Sequence, residues 1–135
     1  MYSHTSEIRV RYGETDQMRY LHHSNYARYY EIARVECLRS LGISYCEMEQ
    51  SGILMPIIKM EAVFKQPAFY DDLLAVKASI LSMPKTRLHL SYEFTNQHGV
   101  LTHIGQTHLC FVDGEARKPM RCPAPITEKL SPFFT

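Results

Sequence analysis

From Glu7 to Tyr12 polar and apolar residues alternate, with Ile8, Val10 and Tyr12 on one face and Glu7, Arg9 and Arg11 on the other, which predicts a half-buried strand. The period then changes. Tyr26, Tyr30, Ala33, Cys37 and Leu41 step by four, three, four and four residues, the spacing of one buried helix face. Ser24 or Asn25 is the predicted N-cap and Gly42 the left-handed stop, with Glu31–Arg34 and Glu36–Arg39 pairs on a solvated flank. A short helical turn over 45–50 ends at Gly52. Ile58, Met60, Ala62 and Phe64 alternate with Lys59, Glu61, Val63 and Lys65 as a second strand, closed by a turn at Pro67 and Asp71-Asp72. Leu74, Val76, Ala78 and Ile80 line one face of a third, and Leu88, Leu90, Tyr92 and Phe94 one face of a fourth. Gln97-His98-Gly99 is the predicted hairpin turn into a fifth strand over 100–112, which Asp113-Gly114 ends. The tail from Pro119 carries four prolines and one helical turn near 127–130.

Strand, long helix, then four strands is an α+β order with one antiparallel sheet. A helix of about 18 residues is about 27 Å long, and strands of about 10 residues are of similar length, so a twisted sheet can wrap around that helix. One helix cannot cover five strands. The bare sheet predicts a homodimer or a dimer of dimers.

Composition narrows the function classes. The chain has 135 residues, 45% hydrophobic and 21% charged, which predicts a single domain over 1–135. A net charge of +1 gives no long-range basic field for a nucleic acid or an anionic membrane, so any anion site must be local. The apolar run over 53–58 is far short of the roughly 20 residues a membrane span needs. Glu7, Arg9 and Arg11 fall where an export signal would need an unbroken apolar stretch. Cys37, Cys46, Cys110 and Cys122 show no C-x-x-C spacing, which fits reduced thiols of the cytoplasm.

The candidate chemistry lies between the first strand and the helix, where Asp16 precedes His22, His23 and the helix start. A carboxylate near free N–H groups and the positive end of a helix dipole has the parts for attack on a carbonyl; an aspartate that merely caps a turn is the simpler reading of that spacing alone. Histidines 98, 103 and 108 recur at intervals of five, which puts successive side chains on opposite strand faces, so they cannot converge on one metal ion and are expected at the surface or an interface. P-loop, G-x-G-x-x-G, H-E-x-x-H and G-x-S-x-G patterns do not occur.

Y-x-E-T-D, then H-x-N-Y, then Tyr30-Glu31-x-Ala33-Arg34 resembles the signature of the hotdog-fold acyl-CoA thioesterases of the 4-hydroxybenzoyl-CoA thioesterase and YbgC type. The turn from Pro67 through Asp72 and the basic Arg117-Lys118-Pro119 resemble further family features, and the resemblance spans nearly the whole chain. It implies a hotdog fold that hydrolyses an acyl-CoA, or an acyl carrier protein thioester, without a cofactor, coenzyme A being part of the substrate. It also implies Asp16 as general base or nucleophile, and His23 at the helix mouth, where its N–H polarises the carbonyl; Tyr26 and Glu31 would belong to the acyl pocket. For the coenzyme A phosphates the expected cations are Arg87 and Lys118, with Lys85 and Arg117. The family usually has Gly where this chain has Arg19, which takes up a glycine's torsions only at a cost, so the turn would differ, the acyl pocket would be altered, or Arg19 would lower the pKa of Asp16 if the charges approach. The same fold also serves hydratases, dehydratases and non-catalytic acyl-CoA binders.

Overall fold

The computed structural model describes residues 1–134; Thr135, the last residue of the expected tail, lies outside them. Five long strands, β1 (Tyr2–Arg9), β3 (Ile57–Phe64), β4 (Leu73–Ile80), β5 (Arg87–Thr95) and β6 (Leu101–Asp113), form one antiparallel sheet in the order β1-β4-β5-β6-β3. Two short strands, β2 (Ile53–Leu54) and β7 (Lys118–Met120), pair with the end of β6. Helix α1 (Tyr26–Ser40) lies across the concave face, preceded without a break by a 3-10 turn over His23–Asn25, and α2 (Tyr45–Gln50) and α3 (Ala124–Leu130) flank it. This is the hotdog fold, a curled antiparallel sheet around a long helix.

Period-2 alternation sets the sheet's inner face. Leu74, Val76, Ala78 and Ile80 on β4 and Leu88, Leu90, Tyr92 and Phe94 on β5 are all fully buried. From α1 they meet Tyr26, Tyr29, Tyr30, Ala33, Cys37 and Leu38. On β6 the inward positions are His103, Gly105, Thr107, Leu109 and Phe111. Gly105 is required there, because a Cβ on it would stand 2.2–2.4 Å from the ring of Tyr30. The left-handed stop expected at Gly42 is present, with φ +81°.

Several sequence expectations are corrected. β1 begins at Tyr2 and ends at Arg9, and Tyr12 lies in a 3-10 turn over Tyr12–Glu14, 78% exposed rather than on the buried face. Arg34 is not on a solvated flank with Glu31. It is 5% exposed, with Nε donating to the Tyr45 hydroxyl at 2.7 Å and Nη1 to the Tyr92 hydroxyl at 3.3 Å. His103 is fully buried rather than at the surface, since its inward register on β6 puts it among Tyr26, Tyr30, Phe64 and Phe94. The β2 and β7 pairings involve only two and three residues, too few for a readable period.

All eight residues of β3 are exposed, including Ile57, Ile58, Met60, Val63 and Phe64. Helix α1 packs mainly on β1 and β4 and meets β3 at Phe64, whose ring is edge-on to Tyr26 at 5.1 Å, while β3 has one edge paired to β6.

Candidate active site

Glu14 builds the loop that carries Asp16. Its carboxylate, in the buried interior, accepts from the Tyr29 hydroxyl at 2.6 Å, the Arg11 N–H at 2.9 Å and the Arg11 guanidinium at 3.3 Å. Burial opposes the charge, but these donors together hold the carboxyl below its usual range. The Glu14 carbonyl accepts from the His22 N–H at 2.8 Å and Asn25 Nδ2 at 2.9 Å. One residue thus ties the loop to the start of α1. Asn25 stands at the predicted cap position, but its side chain crosses to this loop instead of capping the helix.

Two residues on, Asp16 is half-buried, and its Oδ1 accepts from the N–H groups of Met18 at 2.8 Å and Tyr20 at 3.2 Å. Those bonds fix the carboxylate and leave Oδ2 without a protein donor among the described residues. Arg19 holds the left-handed conformation, φ +68°, that a glycine adopts freely. The strain expected at this departure is therefore present, whereas the cation is not: among the described residues Arg19 forms no ion pair with Asp16.

Asp16 opens onto a cleft of about 280 Å³ that also holds His23, Tyr26, Met18, Tyr20 and Leu21, and is closed by Phe64 to Pro67 from the end of β3. His23 is exposed at the first position of the 3-10 turn, its ring stacked on His22 at 4.2 Å. The His22 Nδ1 accepts from the Ser24 N–H at 3.1 Å, so His22 is the side chain that caps this helix. Here a fixed carboxylate and the amino end of a helix line one cleft, and the helix dipole there favours negative charge. A larger hollow of about 720 Å³ also borders Asp16, lined by Tyr12, Arg19, Phe69 and Tyr70, but it includes no residue of α1 or of the turn leading into it. The smaller cleft is the one that holds both Asp16 and His23.

The structure therefore brings together Asp16, His23 and Tyr26, and adds Tyr20 and Leu21 from the loop itself and Phe64 and Lys65, which only the closing of the end of β3 over the loop could reveal. Glu31 is exposed on α1 and does not line this cleft. The four expected cations are exposed at the opposite end of the sheet. Arg87 pairs with Cys110, Lys118 with Asp113, and Lys85 accepts through its carbonyl from the Cys122 N–H at 2.6 Å, while Arg117 precedes β7. Phe64, in the cleft, pairs instead with His103. The seven residues from His103 to Cys110 make about 23 Å, so one chain does not bring its cations to its own carboxylate.

No helix of the described residues is long and apolar enough to cross a membrane. Residues 10–130 match the thioesterase-like superfamily. The putative acyl-CoA thioesterase YneP of Bacillus subtilis (strain 168) is 33% identical over 122 residues, 90% of this chain and 88% of that protein. The acyl-CoA thioester hydrolase YbgC of Escherichia coli O157:H7 is 29% identical over 91% of this chain and 92% of its own length. The crystal structure of a DHNA-CoA thioesterase from Staphylococcus aureus superposes with a TM-score of 0.86 at 35% identity, covering 90% of this chain and 81% of that one. The sequence signature around Asp16, the hotdog fold and these matches agree: the chain belongs to the thioesterase-like superfamily.

Proposed function

We propose that the protein hydrolyses an acyl-CoA to the free carboxylic acid and coenzyme A, with Asp16 as the reacting carboxylate. The observation that carries this reading is the shared cleft, in which a half-buried carboxylate with one unoccupied oxygen faces the amino end of a helix. As general base, Asp16 Oδ2 takes a proton from the water that adds to the thioester carbonyl; the C–S bond then breaks and the proton passes to the departing thiolate. As nucleophile, the same oxygen attacks the carbonyl carbon, the C–S bond breaks and coenzyme A leaves as the thiolate, which takes a proton from water; water then cleaves the mixed anhydride, releasing the acid and restoring the Asp16 carboxylate. In either path the oxyanion develops next to the His23 N–H, which among the described residues donates to no other acceptor, and Tyr26 contacts the acyl group.

A second copy completes the site in this reading. An isologous two-fold pairing of β3 with the partner's β3 is antiparallel, and covers the apolar strand that is bare in one chain. It also sets the far end of the partner's β6, with its arginine and lysine cluster, beside this chain's cleft. Arg87 and Lys118, with Lys85 and Arg117, then grip the phosphates of coenzyme A across the interface. The names of the Bacillus subtilis and Escherichia coli relatives support an acyl-CoA, and four free cysteines fit the cytoplasm.

The test is thiol release from a panel of acyl-CoAs by the wild type and Asp16→Asn. Asparagine keeps an acceptor oxygen for the Met18 and Tyr20 N–H groups, so Tm should move by less than about 2 °C, whereas loss of the base or nucleophile lowers kcat by about 10² to 10⁴. A folded wild type that binds acyl-CoA without turnover would make it a binding protein. An active Asp16→Asn would remove Asp16 from the reaction.

A further inference from the structure

The wall of the cleft carries a polar group that the reaction itself does not use. Tyr26 is only 3% exposed. Other buried tyrosine hydroxyls in this core have partners inside the protein: Tyr29 donates to Glu14, Tyr30 bonds His103, and Tyr92 accepts from Arg34. Among the described residues the Tyr26 hydroxyl has none. The fully enclosed side-chain atoms without a partner are His4 Nδ1, Ser6 Oγ and His103 Nδ1. Since the Tyr26 hydroxyl is not enclosed in that way, it is reached from outside, and the cleft is the surface that Tyr26 lines.

The ring that carries it is held on three sides, stacked on His103 at 4.0 Å, edge-on to Phe64 at 5.1 Å and tilted against Phe94 at 5.5 Å. The hydroxyl therefore has a fixed place. Burial pushes it up to about 12, so it remains a protonated donor at any physiological pH. The ring of His103 stacked against it carries an unpaired Nδ1, while Met18, Leu21, Phe64 and Pro67 supply the apolar part of the lining. An unsubstituted acyl group seated here would strip water from the Tyr26 hydroxyl and return nothing to it; an acyl group with an oxygen at that point would replace the water.

We propose that Tyr26 is a specificity-determining residue that selects acyl groups bearing a hydroxyl or keto oxygen beyond the thioester carbonyl, which accepts a hydrogen bond from the Tyr26 hydroxyl. This rests on the thioesterase reading and narrows its substrate class.

The experiment measures kcat/KM for two matched pairs, 3-hydroxybutyryl-CoA against butyryl-CoA and 4-hydroxybenzoyl-CoA against benzoyl-CoA, in the wild type and Tyr26→Phe. The wild type should prefer the oxygenated member of at least one pair by about tenfold or more, as one hydrogen bond to a buried donor supports. In Tyr26→Phe that ratio should fall to near one. Dissociation constants of the same pairs on Asp16→Asn, with and without Tyr26→Phe, provide a second reading that does not need turnover and should show the same collapse. A ratio unchanged by Tyr26→Phe, an equal loss for both members of each pair, or no wild-type preference in either pair overturns the inference and leaves the hydrolase intact. Absence of hydrolysis for every acyl-CoA overturns the hydrolase reading, and the inference with it.

Discussion

One glycine sets how closely α1 approaches β6. Gly105 lies on β6 opposite Tyr92 and Ala62, and an added Cβ would meet Cζ, Oη and Cε1 of Tyr30 at 2.2–2.4 Å. Tyr30 is fully buried, stacked on Tyr92 at 4.7 Å and hydrogen-bonded to His103, so its ring has no free direction in which to move. Gly105→Ala should therefore overpack the core at a cost of about 1 to 3 kcal/mol. Separating Tyr30 from His103 leaves two buried polar groups unpaired, for about 1 to 3 kcal/mol more. A total near 4 kcal/mol, with an unfolding entropy of about 2.1 cal/mol/K per residue over 135 residues, lowers Tm by about 14 °C. Scanning calorimetry at matched protein concentration measures it. Tyr30→Leu removes the opposing ring, so adding Gly105→Ala to that variant should cost less than about 1 kcal/mol. A Gly105→Ala protein melting within 3 °C of wild type, or an equal cost in the Tyr30→Leu background, would refute the contact.

Two further outcomes follow from buried and bare surfaces. Burial lowers His103 from the ordinary 6.5 to about 4, so the unfolded chain binds its proton first, and stability present above pH 6.5 is lost as pH falls toward 4. The loss should reach about 2 to 3 kcal/mol by pH 4.5; urea titrations at pH 7.5 and 4.5 measure it, and His103→Asn should flatten that limb. Equal losses in the two proteins would assign the pH dependence elsewhere. On β3, Met60 is 49% exposed in one chain, so Met60→Asp should change the stability of a monomer by no more than about 0.5 kcal/mol, yet place an unpaired charge in a β3 interface. Sedimentation should show the wild type as a dimer or larger and the variant shifted toward the 15.7 kDa monomer. A monomeric wild type would end the shared-site reading.

The alternation of β4 and β5 and the stop of α1 at Gly42 were legible because each depends on local periods and one backbone conformation. Asp16, His23 and Tyr26 were found through a motif confined to one loop and one helix start, so that their convergence is a short-range property. Arg34 and His103 were misplaced for a shared reason. A polar side chain reads as surface until its hydrogen-bond partners are known, and Tyr45, Tyr92 and Tyr30 come from elements 11, 58 and 73 residues away.

The sequence by itself determined the order of the long strands and α1, the inner faces of β4 and β5 and the carboxylate before the helix start, since period and turn chemistry act between neighbours in the chain. Only the tertiary structure decided that the end of β3 closes the cleft with Phe64 and Lys65, that the Tyr26 hydroxyl is without a partner among the described residues, and that the cations lie at the far end of the sheet from Asp16. Those relations depend on strand register, which sets residues distant in the chain side by side or a sheet's length apart, and register is fixed by the packing of the whole sheet against α1.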